Sequence, residues 1–207
     1  LIKPDFVVIC GDLINDFNDK SVSDFKRIKY RLTMPCYLAP GNHDVGNKPT
    51  LQTLNRYRDT FGNDYFSFQH KGYTFIINNT SLWKEPLADE TQKFDAWFQN
   101  TLKNANNAGG KVFIVQHYLM YEKNIDEPNN YYNLPVTKRK EILSLLESNG
   151  VAAILGGHRH KTIINDYNGI QMVYCESTSR NDDKRPFGFR IWQISPKSIT
   201  HEFIPSK

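Results

Sequence analysis

The 207-residue sequence predicts an α/β (mixed α+β) fold, two packed mixed β-sheets flanked by helices in one domain spanning 1–207. Three observations carry that expectation. Short apolar, β-branched runs recur along the chain, segments of helical spacing lie between them, and from Lys161 onward the helical signal gives way to strand-like runs separated by turn residues. Alternating strands and helices followed by a β meander point to sheets stacked on each other with helices outside.

The strand-like runs are FVVIC at 6–10, CYLA at 36–39, YTFIIN at 73–78, KVFIVQ at 111–116 and VAAIL at 151–155. Continuous apolar runs of this length suit buried strands. Helical spacing covers 21–31, 50–60, 91–107 and 137–148. In the third of these, Phe94, Trp97, Phe98, Leu102 and Ala105 share a face, which reads as core, and Gly109-Gly110 ends the helix. In the fourth, Thr137 is the candidate N-cap, and Ile142, Leu145 and Leu146 form the inward stripe. Beyond Lys161 the runs TII, IQMVYC, FGFRIWQI and ITHEFI alternate with Asn168-Gly169 and Ser195-Pro196.

With 39% hydrophobic and 23% charged residues, the chain can bury a sizeable core and lacks the composition of a disordered protein. Its net charge of +4 comes from scattered Lys and Arg; the one dense run, Lys138-Arg139-Lys140, reads as a solvated helix face. That balance suits an anionic substrate, and nucleic acid is not an expected partner. The three cysteines form no CxxC pair and read as small buried side chains. No apolar stretch reaches the length of a membrane span. The opening LIKPDFVVIC, with neither Met nor a leader, gives the expectation of a chain that starts partway into a fold, with cytoplasmic and periplasmic locations both open.

Four apolar runs end in polar clusters: Gly11-Asp12, Gly41-Asn42-His43-Asp44, His117, and Gly156-Gly157-His158-Arg159-His160. Ligand and catalytic sites of α/β sheets form at the carboxyl ends of strands, so neighbouring strands would bring these clusters into one crevice. Of the six histidines, only His70 and His201 lie elsewhere. Imidazole, carboxylate and amide oxygen together suit Zn, Mn or Fe rather than a thiolate-preferring ion. Glycines just before Asp12, Asn42 and His158 would let the backbone turn sharply and approach an ion closely.

The order GD, GNHD, His and GHRH resembles the calcineurin-like metallophosphoesterases, whose pattern runs D-x-H, GD, GNH[DE], H and GHxH. GNHDVGNKPT, FGNDYFSF, NNTSLWKEP, YYNLPVTKRK and RPFGFR are similar to one branch of that family, which includes a protein serine/threonine phosphatase. The resemblance implies hydrolysis of a phosphate monoester, small molecule or phosphoprotein, by in-line attack of a hydroxide shared by two divalent or trivalent metal ions. It implies Asp12 as the bridging carboxylate, Asn42, His117 and His158 as the other ligands of the second metal, and His160 as a ligand of the first. His43 would be the unligated histidine at the leaving group, with Asp44 fixing its orientation.

The D-x-H element is not found in this sequence, which leaves Asp12 and His160 for the first metal and gives the expectation of one ion held well and a second weakly. Asn15 stands where many relatives of the family carry Asp, in a supporting position. Trp83, Tyr118, Tyr131, Tyr132, Arg180 and Arg185 stay outside the assigned site, since surface aromatics and loop arginines more often serve packing and solubility. A phosphodiesterase or nuclease of the same family, and a non-catalytic binding domain, are the alternative readings.

Overall fold

A computed structural model describes residues 3–206. The chain opens with β1 (Val7–Cys10), α1 (Asp19–Lys29), β2 (Cys36–Ala39), α2 (Asn42–Val45) and α3 (Leu51–Phe61). The hairpin β3 (Phe66–His70) and β4 (Tyr73–Ile77) follows, then α4 (Ser81–Lys84), α5 (Ala88–Asn107), β5 (Val112–Val115), α6 (Val136–Ser148) and β6 (Val151–Gly156). Two further pairs close the chain, β7 (Ile163–Tyr167) with β8 (Ile170–Tyr174), and β9 (Gly188–Ile194) with β10 (Ile199–Pro205).

One layer is a six-stranded sheet in the order β3-β4-β5-β6-β8-β7, parallel from β4 through β8 and antiparallel at both edges. The second layer is two two-stranded ribbons, parallel β1/β2 and antiparallel β9/β10. The expected pair of packed sheets is present, with the smaller one divided in two. Side chains alternate across a strand, and here both faces are covered. Phe75, Ile77, Phe113, Val115, Ala153 and Leu155 pack toward Val8, Tyr37, Trp192 and Ile194 of the ribbons. Ile76, Ile114, Ile154 and Met172 pack on the opposite face against Phe94, Phe98 and Leu102 of α5 and Ile142, Leu143 and Leu146 of α6. Double-sided burial is why these strands read as unbroken apolar runs.

Helix starts follow local capping chemistry. Asn18 accepts from the Ser21 amide at 2.9 Å, and Thr50 shares a capping box with Thr53. Thr137 is not the cap of α6. The helix begins at Val136, after Pro135, and the Val136 amide donates to Asn129 Oδ1 at 2.8 Å, so the cap is supplied from the preceding loop. Lys138-Arg139-Lys140 is not a solvated face either. Arg139 is fully buried and donates to the carbonyls of Ile125, Glu127 and Leu134.

Turn chemistry accounts for the hairpins. Asn168-Gly169 joins β7 to β8 with φ of +49° and +87°, as a tight two-residue turn requires. Lys71-Gly72 does the same between β3 and β4 with φ of +48° and +82°. β3 has no counterpart among the expected strands, because an edge strand with only one face covered shows alternation, not an apolar run. Four-residue α2 and α4 are too short to display helical periodicity.

Gly156 closes β6 against the buried ring of Tyr174, where an added Cβ would lie 2.3 Å from a ring carbon. Gly156→Ala should therefore destabilise the protein by roughly 1–3 kcal/mol, the cost typical of an overpacked core. Urea unfolding checks this, and an unchanged midpoint would contradict the packing.

Candidate metal centre

The strands ending at Cys10 and Ala39 belong to one layer and those ending at Val115 and Gly156 to the other. The expectation of a single sheet edge is corrected in that respect: the clusters meet where the carboxyl edges of two stacked layers face each other. Glycine permits the approach. A Cβ on Gly11 would lie 2.5 Å from His117 Nδ1, one on Gly41 2.2 Å from Asp12, and one on Gly157 2.8 Å from the Cys10 carbonyl. Gly11 also turns with φ of +87°, whereas Gly41 and Gly157 serve close contact between loops.

Asp12, His117 and His158 each bring one ligand atom within 4.8 Å of the others. His117 is buried, and its Nδ1 meets the Cys10 carbonyl at 2.7 Å. A carbonyl only accepts, so Nδ1 carries the proton and Nε2 presents a lone pair in the neutral ring. That Nε2 lies 3.2 Å from Asp12 Oδ2 and 3.0 Å from Asn42 Oδ1. The orientation of the Asn42 amide is fixed independently, because its Nδ2 donates to Asn47 Oδ1 and Tyr131 Oη, both at 3.0 Å. Three acceptors thus point at one another. Such a cluster demands a cation, either a proton on His117 or a metal ion, and the donor set fits a metal.

The electrostatics agree. Burial raises the Asp12 carboxyl, but His117 and the His43 amide outweigh it and bring its pKa down to about 2. Burial lowers His117, yet the Asp12 charge and hydrogen bond leave it raised. His158, whose Nε2 lies 3.3 Å from the Tyr131 carbonyl, is brought down to about 3, chiefly by burial, and so remains a neutral donor. His160 stands outside the group of three; burial lowers its pKa while Asp12 opposes that shift, and its carbonyl accepts from the Asp182 amide at 2.7 Å.

His43 and Asp44 separate. His43 is exposed, its amide donating to Asp12 Oδ1 at 3.0 Å and its Nδ1 lying 2.8 Å from the Asn15 carbonyl. Asp44 is fully buried and accepts from the amides of Leu13 at 3.0 Å, Ile14 at 3.3 Å and Gly41 at 2.7 Å. Burial pushes its carboxyl up to about 7 against those hydrogen bonds. The expectation that Asp44 fixes His43 is corrected: the Asn15 carbonyl holds the ring, and Asp44 ties the GNHD loop to the loop after β1.

Of the residues left unassigned, Tyr131 does reach the site, through Asn42. Trp83 is buried and donates to Asp95 at 2.7 Å. Tyr118 is buried with its ring centroid 4.3 Å from that of His158. Arg180 and Arg185 are exposed and paired with Asp182 at 3.2 Å and Asp183 at 3.4 Å.

The calcineurin-like phosphoesterase family pattern matches residues 1–162, and the chain belongs to that family of metal-dependent hydrolases of phosphate esters. The chain is 31% identical over 212 residues to the serine/threonine-protein phosphatase CPPED1 of Homo sapiens, covering 97% of this chain and 68% of the relative. In fold it is similar to GAP50, the anchor in the inner membrane complex of Plasmodium, with a TM-score of 0.71 at 16% identity over 98% of this chain and 74% of that one. A dimetal phosphatase from Danio rerio gives 0.62 at 15% identity over 83% of this chain and 72% of that one. At such identities the structural likenesses bear on the fold alone.

Replacing His117 or His158 by Ala should abolish tight metal binding, since each removes one donor from the cluster. Elemental analysis after dialysis checks this; full metal content in His117→Ala would remove that residue from the ligand set.

Proposed function

We propose that the chain hydrolyses phosphate monoesters on protein side chains, using metal ions (Mn, Fe or Zn) held by Asp12, Asn42, His117, His158 and His160 within a single domain. The observation that carries this reading is the acceptor-only cluster of Asp12, Asn42 and His117, closed by neutral His158 and adjoined by the exposed His43. The relatives named serine/threonine-protein phosphatases support the protein substrate.

Bound ions would acidify a water and offset charge gathering on the phosphoryl oxygens. The residues have distinct tasks. Asp12 would be a ligand of both ions, and it accepts from the His43 amide at 3.0 Å, which fixes its carboxylate. With His43 Nδ1 committed to the Asn15 carbonyl, an added proton sits on Nε2, from which it can pass to the leaving oxygen of the ester. Asp44 holds the loop that carries both Asn42 and His43.

One ion would draw on four donors of this chain, Asp12, Asn42, His117 and His158, and the other on Asp12 and His160. Titration of the metal-free chain with Mn²⁺ should accordingly resolve one tight and one weaker site; two equally tight sites would contradict the assignment. His43→Ala should lower kcat on a phosphoserine peptide on the order of a hundredfold while metal content holds. Faster hydrolysis of bis-p-nitrophenyl phosphate than of p-nitrophenyl phosphate would turn the reading toward a diesterase.

A further inference from the structure

Between β5 and α6 the chain makes a long excursion that folds back on itself, with Leu119 and Asn133 bridged and the Leu134 amide donating to the Leu119 carbonyl at 2.9 Å. Polar side chains pin it from inside. Arg139 gathers three of its carbonyls, Lys84 Nζ reaches the Asn133 carbonyl at 2.7 Å, and Asn133 Nδ2 donates to Glu127 at 2.6 Å. Tyr131 lies on this pinned excursion, 49% exposed.

Half in solvent, Tyr131 nevertheless touches two members of the metal-binding cluster. Its hydroxyl oxygen accepts from Asn42 Nδ2 at 3.0 Å, and its backbone carbonyl lies 3.3 Å from His158 Nε2. Its ring centroid sits 4.9 Å from that of His158. The two hydrogen bonds have one effect in common. An acceptor at Asn42 Nδ2 keeps Oδ1 turned toward His117, and an acceptor at His158 Nε2 keeps the proton there and leaves Nδ1 with the lone pair.

We infer that Tyr131 is a positioning residue that sets the amide of Asn42 and the ring of His158 for metal binding, an inference that rests on the metal-binding reading of Asp12, Asn42, His117 and His158. Without the hydroxyl, Asn42 Nδ2 keeps only Asn47 among the described residues, itself an exposed side chain, and the amide gains freedom to turn its nitrogen toward the cluster.

The test is calorimetric titration of the metal-free chain with Mn²⁺, comparing wild type, Tyr131→Phe and His117→Ala, with the melting temperature of each metal-free protein. Tyr131→Phe keeps the ring on His158 and removes only the hydroxyl. Its Mn²⁺ dissociation constant should rise roughly tenfold to a hundredfold, the usual effect of losing a partner that orients a ligand, while the metal-free melting temperature stays at the wild-type value. Wild-type affinity in Tyr131→Phe overturns the inference, as does weaker binding accompanied by an equal loss of metal-free stability, which marks a packing role. If wild type and His117→Ala both fail to bind Mn²⁺, the metal-binding reading itself falls and takes the inference with it.

Discussion

The imidazole of His117 is the contact on which the site's construction turns. It follows β5 in the six-stranded sheet, yet its Nδ1 bonds at 2.7 Å to the carbonyl of Cys10, the last residue of β1 in the other layer. Its own carbonyl accepts from the Gly157 amide at 3.2 Å, which draws in the loop after β6. Three strand ends from two layers are therefore gathered on one residue. The same Nδ1 bond fixes the tautomer, so the bond that joins the layers also decides which nitrogen faces Asp12 and Asn42. Side chains at positions 11 and 157 would push the layers apart, and glycine at both is the steric condition for the ring to be shared.

Backbone strain is concentrated at the same place. Asp12, His158 and His160 adopt φ of +53°, +71° and +53°, a region in which non-glycine residues are strained by about 1 kcal/mol or more. Lys71, Asn168 and Lys184 share that geometry elsewhere, the first two because each opens a tight hairpin turn. No hairpin explains the three at the strand ends. The backbone must leave a strand abruptly for Asp12 and His158 to approach His117; the bonds of Asp44 to three amides and of His117 to Cys10 hold the first loop, and the Gly157 amide on the His117 carbonyl with the Asp182 amide on the His160 carbonyl hold the second.

That Asp12, Asn42, His117 and His158 come together was legible in the sequence because each follows an apolar run, and the end of a buried strand is a position that polarity marks clearly. The pairing of His43 with Asp44 was misread for a geometric reason. Adjacent residues on a helix do not face each other, and in α2 the two side chains diverge, one to solvent and one fully inside. Tyr131 gave only a weak signal: it opens the YYNLPVTKRK stretch, but it lies in an aperiodic excursion and meets Asn42 across 89 positions of sequence. The division of the second layer into two ribbons was equally hidden, because short strands announce their burial but not their partners.

Arg139 shows how far a local charge pattern can mislead. Flanked by two lysines, it looks like part of a solvated stripe, and those neighbours do find surface acids, Asp95 for Lys138 and Asp126 for Lys140. Arg139 itself points inward, where burial pushes its pKa down and the carbonyls of Ile125, Glu127 and Leu134 receive its donors. The excursion buries Leu119, Met120 and Leu134 in the core, and its backbone carbonyls still need partners once they leave water. A planar guanidinium spreads five donors over three nitrogens and so reaches three separated carbonyls at once, whereas a lysine carries its three donors on a single nitrogen. The guanidinium thus pins the loop that carries Tyr131, and through that loop a buried cation on α6 is connected to the amide of Asn42 and the ring of His158.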